Sequence, residues 1–191
     1  MKAGARVLGV AESFVSEAEA STLAGVVVRA SRVVDGFAFR QCTIGGTDAT
    51  AAIVDLYRDL DREDVRYLLV AGIAPAWYNI VDLHRIHEAV DRPVLSVTFE
   101  ESDGLEPALR EAFSGDDLDR RLERYRRQPS RQRVTVNDQS IFLRTVGLDD
   151  STARDVVRAI TPEGGRPEPV RVARLAARAA DELRRAESRR S

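Results

Sequence analysis

GGTDATAAIVDLYRDLD, residues 45–61, is where the sequence changes its periodicity. Two glycines and Thr47 lead into Ala49, Ile53, Leu56 and Leu60, apolar positions four, three and four apart, and this spacing predicts a helix with one apolar stripe. Thr47 or Asp48 is its natural N-cap, because a short side-chain oxygen there can accept from amides of the first turn. Upstream the pattern is different. RVLGVAESF (6–14), LAGVVVRA (23–30) and VVDGFAFRQCTI (33–44) are rich in Val, Phe and Ile and read as three consecutive strands. Their short joints make them antiparallel neighbours.

Downstream, VRYLLVAG (65–72) and PVLSVTF (93–99) are short apolar runs suited to strands buried on both faces. Between them NIVDLHRIHEAV (79–90) predicts a second helix, with Ile80, Leu83, Ile86 or His87, and Val90 on one side. Three antiparallel strands followed by alternating helices and parallel strands make an α/β mixed sheet, the order of the ribonuclease H-like class. Beyond it, 104–113 and 116–128 predict helices and RVTVN and SIFLRTVG a C-terminal hairpin around Asn137, Asp138 and Gln139. Two last helices follow, TARDVVRAI and PVRVARLAARAADELRRAE, after the linker TPEGGRPEP (161–169). Val172, Leu175, Ala176, Ala179 and Leu183 give the final helix its apolar stripe, and Pro169 lies in its first turn.

A chain of 191 residues, 43% hydrophobic and 31% charged, suffices for one domain with a sizeable core. We read residues 1–114 as that core and 115–191 as its basic C-terminal extension. Cys42 has no cysteine partner and reads as a small buried residue, so the expected compartment is reducing and cytoplasmic. Apolar runs are strand-sized and no leader pattern opens the chain, which argues against a membrane partner. The net charge of −2 hides an asymmetry: residues 1–117 hold 11 basic and 20 acidic side chains, residues 118–191 hold 18 and 11. Such a division suits a basic arm for an anionic partner, or two halves that attract within one chain or in a homo-oligomer. Apart from Lys2 every basic residue is arginine, which suits bidentate phosphate contacts.

Phosphate-loop, paired-cysteine zinc and Gly-x-Ser-x-Gly patterns do not occur. His84 and His87 stand three apart on a predicted helix, a spacing that can share a metal but more often marks structural histidines. AGIAPAWYNIVDL follows a buried strand, where open sheets build sites. There Trp77 and Tyr78 suit stacking on a base and Asn79 suits reading its edge or capping the next helix. Glu12 at the end of the first strand, Asp48 at the first helix and Asp82 at the second are the acids placed to serve catalysis, with Glu12 and Asp48 the candidate ligands of Mg²⁺ or Mn²⁺. Each also has a structural reading, as a strand-end acid, a helix cap and a first-turn acid.

GVAESF, the VDG of the third strand, GGTDAT, AGIAPAWYNIVDL and GRPEPVRVARL, in this order, resemble the archaeal endonuclease V-like family, also called endonuclease dU. The resemblance spans nearly the whole chain. It implies a ribonuclease H-like fold and kinship with metal-dependent enzymes that cut nucleic acid near deaminated bases. Asp48, Asn79 and Asp82 match the family pattern. Three departures stand out: Gly9-Val10-Ala11-Glu12 replaces Gly-Ile-Asp-Asp, Ala71-Gly72 replaces Asp-Gly, and Gly45-Gly46-Thr47-Asp48 lacks an acid-glycine pair.

Adjacent strand side chains point to opposite faces, so Glu12 does not take the place of a carboxylate at Ala11 unless a bulge intervenes. The resemblance with these departures implies an endonuclease V-like nucleic-acid-binding protein with impaired or lost phosphodiesterase activity and no cofactor. Trp77, Tyr78, Asn79, Arg120, Arg124 and Arg127 are then its contacts to DNA or RNA. The competing readings are an active Mg²⁺- or Mn²⁺-dependent endonuclease using Glu12, Asp48 and Asp82 on deaminated or single-stranded substrate, and a non-enzymatic interaction protein or homodimer.

Overall fold

Alternation of side chains along apolar strands decides what lies on each face of the sheet. The computed structural model describes residues 1–2, 4–15 and 18–188. β1 (Arg6–Ser13), β2 (Ala20–Arg29) and β3 (Val34–Thr43) form an antiparallel meander, and α1 (Ala49–Leu60) leads to β4 (Val65–Ala71), which pairs with β1 in parallel. The single turn α2 (Pro75–Tyr78) and α3 (Leu83–Val90) lead to β5 (Val94–Thr98), parallel to β4. After α4 (Glu106–Ala112) and α5 (Gly115–Arg126) comes the hairpin β6 (Gln132–Val136) and β7 (Gln139–Val146), and β7 joins the same sheet antiparallel to β5. The seven-stranded order is β3-β2-β1-β4-β5-β7-β6, and α6 (Asp150–Ala159) and α7 (Glu168–Ser188) close the chain.

Leu8, Val10, Leu68 and Val70 face α1 and α3 and pack with Ile53, Leu56, Leu83 and Ile86. Their strand neighbours point the other way. Val7, Leu69, Leu95 and Val97 pack beneath α6, and Ala11 packs with Val26, Val28 and Ala173 beneath α7. Burial on both faces explains why these strands read as unbroken apolar runs. The hairpin turns on Asn137 and Asp138 at φ 47° and 62°, the left-handed pair that a two-residue turn requires.

Two expectations are corrected. The helix expected from Asn79 starts at Leu83, because Asn79 and Asp82 are spent on caps: the Asp82 carboxylate accepts from the Arg85 amide at 3.1 Å, and the Asn79 side chain serves α1. In α7 the buried stripe is Val170, Ala173, Ala177 and Asp181, while Leu175 and Leu183 are exposed. The cause is the closeness of the helix to the sheet. A Cβ on Gly9 would lie 2.2 Å from the Pro169 carbonyl carbon, so small side chains turn inward and leucines outward. Asp181, 1% exposed, accepts from the hydroxyls of Ser13 and Thr22 and is flanked by Arg184 and Arg185.

Candidate functional site

The carboxyl ends of β1, β4 and β5 meet at one edge of the sheet, where strand ends and connecting loops form sites in open α/β folds. Two hollows lie there on opposite faces, and Ala71 borders both.

The hollow on the α1 face has a volume of about 390 Å³ and is lined by Glu12, Ser96, Thr98, Tyr125, Arg131 and Phe142 among others. Ser96 and Thr98 reach it from alternate positions of β5, and Glu12 from β1. No bulge interrupts the β1–β2 register at Ala11 and Glu12, so the two side chains diverge to opposite faces. One oxygen of Glu12 accepts from the Ser21 hydroxyl and the Ala76 amide, each at 2.7 Å. Burial raises the Glu12 carboxyl above its ordinary range, opposed by those hydrogen bonds and by the charge of Arg174. Ala76 presents its amide from a turn in which Ala76, Trp77 and Tyr78 have φ of 47°, 53° and 63°. Left-handed backbone at three successive non-glycine residues is costly and persists only where surroundings impose it. Arg131 forms the outer wall, lying 3.9 Å over the Phe142 ring and donating to Thr98 Oγ1 at 3.0 Å.

The second hollow, beneath α7, has a volume of about 310 Å³. Ala71, Phe99, Val170 and Leu175 supply its apolar lining and Arg166, Arg171, Arg174 and Arg178 its charge. Ala71 stands one position beyond the Val10–Val70 pair, beside Ala11, and both alanines pack into the same α7 cluster.

The remaining sequence candidates lie elsewhere. Asp48 is the N-cap residue of α1 by position, but its carboxylate turns back to accept from the Thr43 amide and hydroxyl and from Asn79. Burial opposes its ionisation, yet the Asn79 and Thr43 hydrogen bonds prevail and hold it below the ordinary carboxylate range. Asn79, fully buried, accepts from the Ala49 amide at 3.0 Å and donates to the Thr43 carbonyl at 2.9 Å. Asp82 caps α3 and pairs with Arg127 at 3.0 Å. Arg124 donates to the carbonyls of Ile80 and Thr47, and Arg120 stays exposed near Asp117. Trp77 is 49% exposed and packs with Tyr78 against Phe113, outside both hollows. The rings of His84 and His87 bond separate carbonyls, those of Arg127 and Arg92. Cys42 is buried, and burial pushes its thiol up to about 12.

Glu12, Asp48 and Asp82 therefore have separate engagements. Among the described residues no group of three or more His, Cys, Asp or Glu side chains is placed to hold a metal ion. Hard divalent cations require several oxygen ligands. The α7 hollow offers methyl groups and guanidiniums, which do not fit Mg²⁺ or Mn²⁺. Sequence reading missed Ser96, Thr98 and Phe142, as well as the α7 arginines. A signal for the latter was present in the spacing of Arg171, Arg174 and Arg178, three and four residues apart.

The fold is that of the endonuclease V proteins, within the ribonuclease H-like class. Human endonuclease V superposes with a TM-score of 0.64 at 17% identity, over 95% of this chain and 85% of that one. An endonuclease V from Ciona intestinalis, solved with inosine-containing DNA, gives 0.59 at 12% identity over 95% and 86%. The chain belongs to the endonuclease dU family, whose model matches residues 3–181. A UPF0215 protein of Thermococcus kodakarensis is 35% identical over 163 residues, 84% of this chain and 82% of its own. A protein of unknown function from Archaeoglobus fulgidus has a solved structure with a TM-score of 0.79 and 27% identity, over 92% of this chain and 97% of that one. Among the described residues no helix is long and apolar enough to cross a membrane.

Proposed function

We propose that this chain is a nucleic-acid-binding member of the endonuclease dU family in which metal-dependent phosphodiester cleavage is weak or lost. One observation carries the reading: Ala11 and Ala71, the positions at which the family pattern suggests strand carboxylates, pack together beneath α7, while Glu12 lies on the opposite face. Two-ion hydrolysis relies on carboxylates shared between cations, and methyl groups supply none. The kinship with endonuclease V, one of which was solved on inosine-containing DNA, supports deaminated or single-stranded DNA as the first partner to test. The 390 Å³ hollow, with Ser96, Thr98 and Glu12 as polar groups and Phe142 and Tyr125 as walls, suits a small planar polar group such as an extruded base. Trp77 and Arg120 are exposed and available to the flanking strand.

The test is incubation of purified protein with single-stranded oligonucleotides containing deoxyinosine or deoxyuridine, with Mg²⁺ or Mn²⁺ and with chelator. Binding that persists in chelator, with cleavage no greater than that of a Glu12→Gln, Asp48→Asn variant, is the expected result. Metal-dependent cleavage that this variant abolishes would overturn the proposal in favour of an active endonuclease.

A further inference from the structure

Arginines that build this fold end on acceptors. Arg6, Arg29 and Arg62 converge on Asp35, Arg121 reaches the carbonyls of Gly45, Gly46 and Tyr78, and Arg127 meets Asp82. The hollow beneath α7 is arranged differently. Of its four arginines, Arg171 has a carboxylate partner, Glu168 at 2.7 Å. Arg166 lies 4.3 Å over the Phe99 ring, a contact that orients the guanidinium without neutralising it. Arg174 and Arg178 make no hydrogen bond or ion pair with any described residue. Among the described residues, Arg166 and Arg178 thus face this apolar-lined hollow without a carboxylate partner and Arg174 has only the charge of Glu12 across the sheet, where Ala71 contributes only a methyl group.

The geometry points to a metal-independent phosphate site in this hollow, with Arg166, Arg174 and Arg178 gripping the oxygens directly. Guanidinium forks match a phosphate bidentately. Arg174 and Arg178 are one helical turn apart, about 6 Å along the axis, near enough to grip one phosphate or two neighbouring ones. The apolar lining of Val170, Leu175 and Phe99 lowers the local dielectric and strengthens the attraction. Mutual repulsion of the guanidiniums is relieved when an anion enters, whereas a divalent cation adds to it. The ligand chemistry is a phosphate group, as a nucleic-acid diester or as a free or terminal phosphate. The diester form rests on the nucleic-acid reading above.

The experiment measures anisotropy of a fluorescein-labelled single-stranded oligonucleotide in excess EDTA over a range of salt, with calorimetry of inorganic phosphate in parallel. Arg174→Gln with Arg178→Gln retains good helix formers on an exposed face. It is compared with Arg154→Gln plus Arg158→Gln on α6, which removes the same charge from exposed positions. The hollow variant is expected to weaken oligonucleotide binding by about tenfold or more and to flatten the salt slope by about 1.4, two contacts at about 0.7 each. The α6 variant should change affinity by less than about threefold. Equal losses in the two variants would reduce the effect to net charge and overturn the site. So would oligonucleotide binding that ignores Arg174 and Arg178, although the nucleic-acid reading would survive. Arg174-dependent phosphate binding without oligonucleotide binding would keep the site and end that reading, and binding of neither ligand would overturn the site.

Discussion

Replacing Gly9 by alanine tests how tightly α7 is held against the sheet. The new methyl carbon would lie 2.2 Å from the Pro169 carbonyl carbon, 2.4 Å from its oxygen and 2.6 Å from its Cβ. Ordinary contact begins near 3.4 Å, so the helix must withdraw by 1.2 Å or β1 must bend by as much. The obstacle is backbone on both sides and no side-chain rotation relieves it. Overpacking of this kind costs about 1–3 kcal/mol. The upper half of that range applies here, because withdrawal also parts Ala173 from Ala11, Val26 and Val28. A cost of about 2–3 kcal/mol in a chain of this length lowers Tm by roughly 4–12 °C. Gly4→Ala is the control, since nothing lies within 4 Å of its Cβ position. Thermal denaturation followed by circular dichroism reads the difference. A Gly9→Ala protein that melts with the wild type would show that Pro169 does not press against β1 at Gly9.

Asn79→Ala removes an acceptor for the Ala49 amide and donors to Thr43 and Asp48 inside the core, and should cost about 2–3 kcal/mol in denaturant titration. An effect below about 0.5 kcal/mol would mean that the α1 cap is dispensable. Glu12 has a carboxyl raised by burial, so its contribution to folding is full below its unfolded value, near 4.5, and declines as pH rises through the higher folded value. Glu12→Gln should therefore match the wild type near pH 4 and exceed it in stability near pH 8. A variant less stable than the wild type at pH 8 and equal to it at pH 4 would show that ionised Glu12 stabilises the fold.

The strand-to-helix change at residues 45–61 made the core of the fold legible, because periodicity reports which faces are buried. Strand alternation alone also places Ala11 and Glu12 on opposite faces. Placement of α7 was not legible. Its leucines gave the stronger apolar signal, but the glycine on β1 that decides the approach lies 160 residues away, from Gly9 to Pro169. Caps were misread for a related reason: Asn79 serves the helix that begins at Ala49, a partnership only the tertiary fold creates. For the arginines of α5 the sequence shows their charge and hides their partners. Arg121, 3% exposed, is an internal strut between Tyr78, Gly45 and Asp117.

On the proposed reading, alanine at positions 11 and 71, where the family pattern suggests strand acids, changes more than a ligand count. A carboxylate at position 71 would enter the hollow that Arg174 and Arg178 line, and its first partner there would be a guanidinium. Restoring it would neutralise the arginines before it could hold a cation, since a charge-assisted hydrogen bond forms without stripping a metal of its water. On the proposed reading, the alanines and the arginines of α7 belong to one arrangement, in which positive charge at this end of the sheet is supplied by side chains of α7. On the other face Glu12 is excluded from that hollow by the pleat of β1 and held instead by Ser21 and Ala76. On the proposed reading, recognition of a phosphate and of a group seated beside Ser96 and Thr98 would be divided between the two faces of one sheet, with Ala71 bordering both hollows.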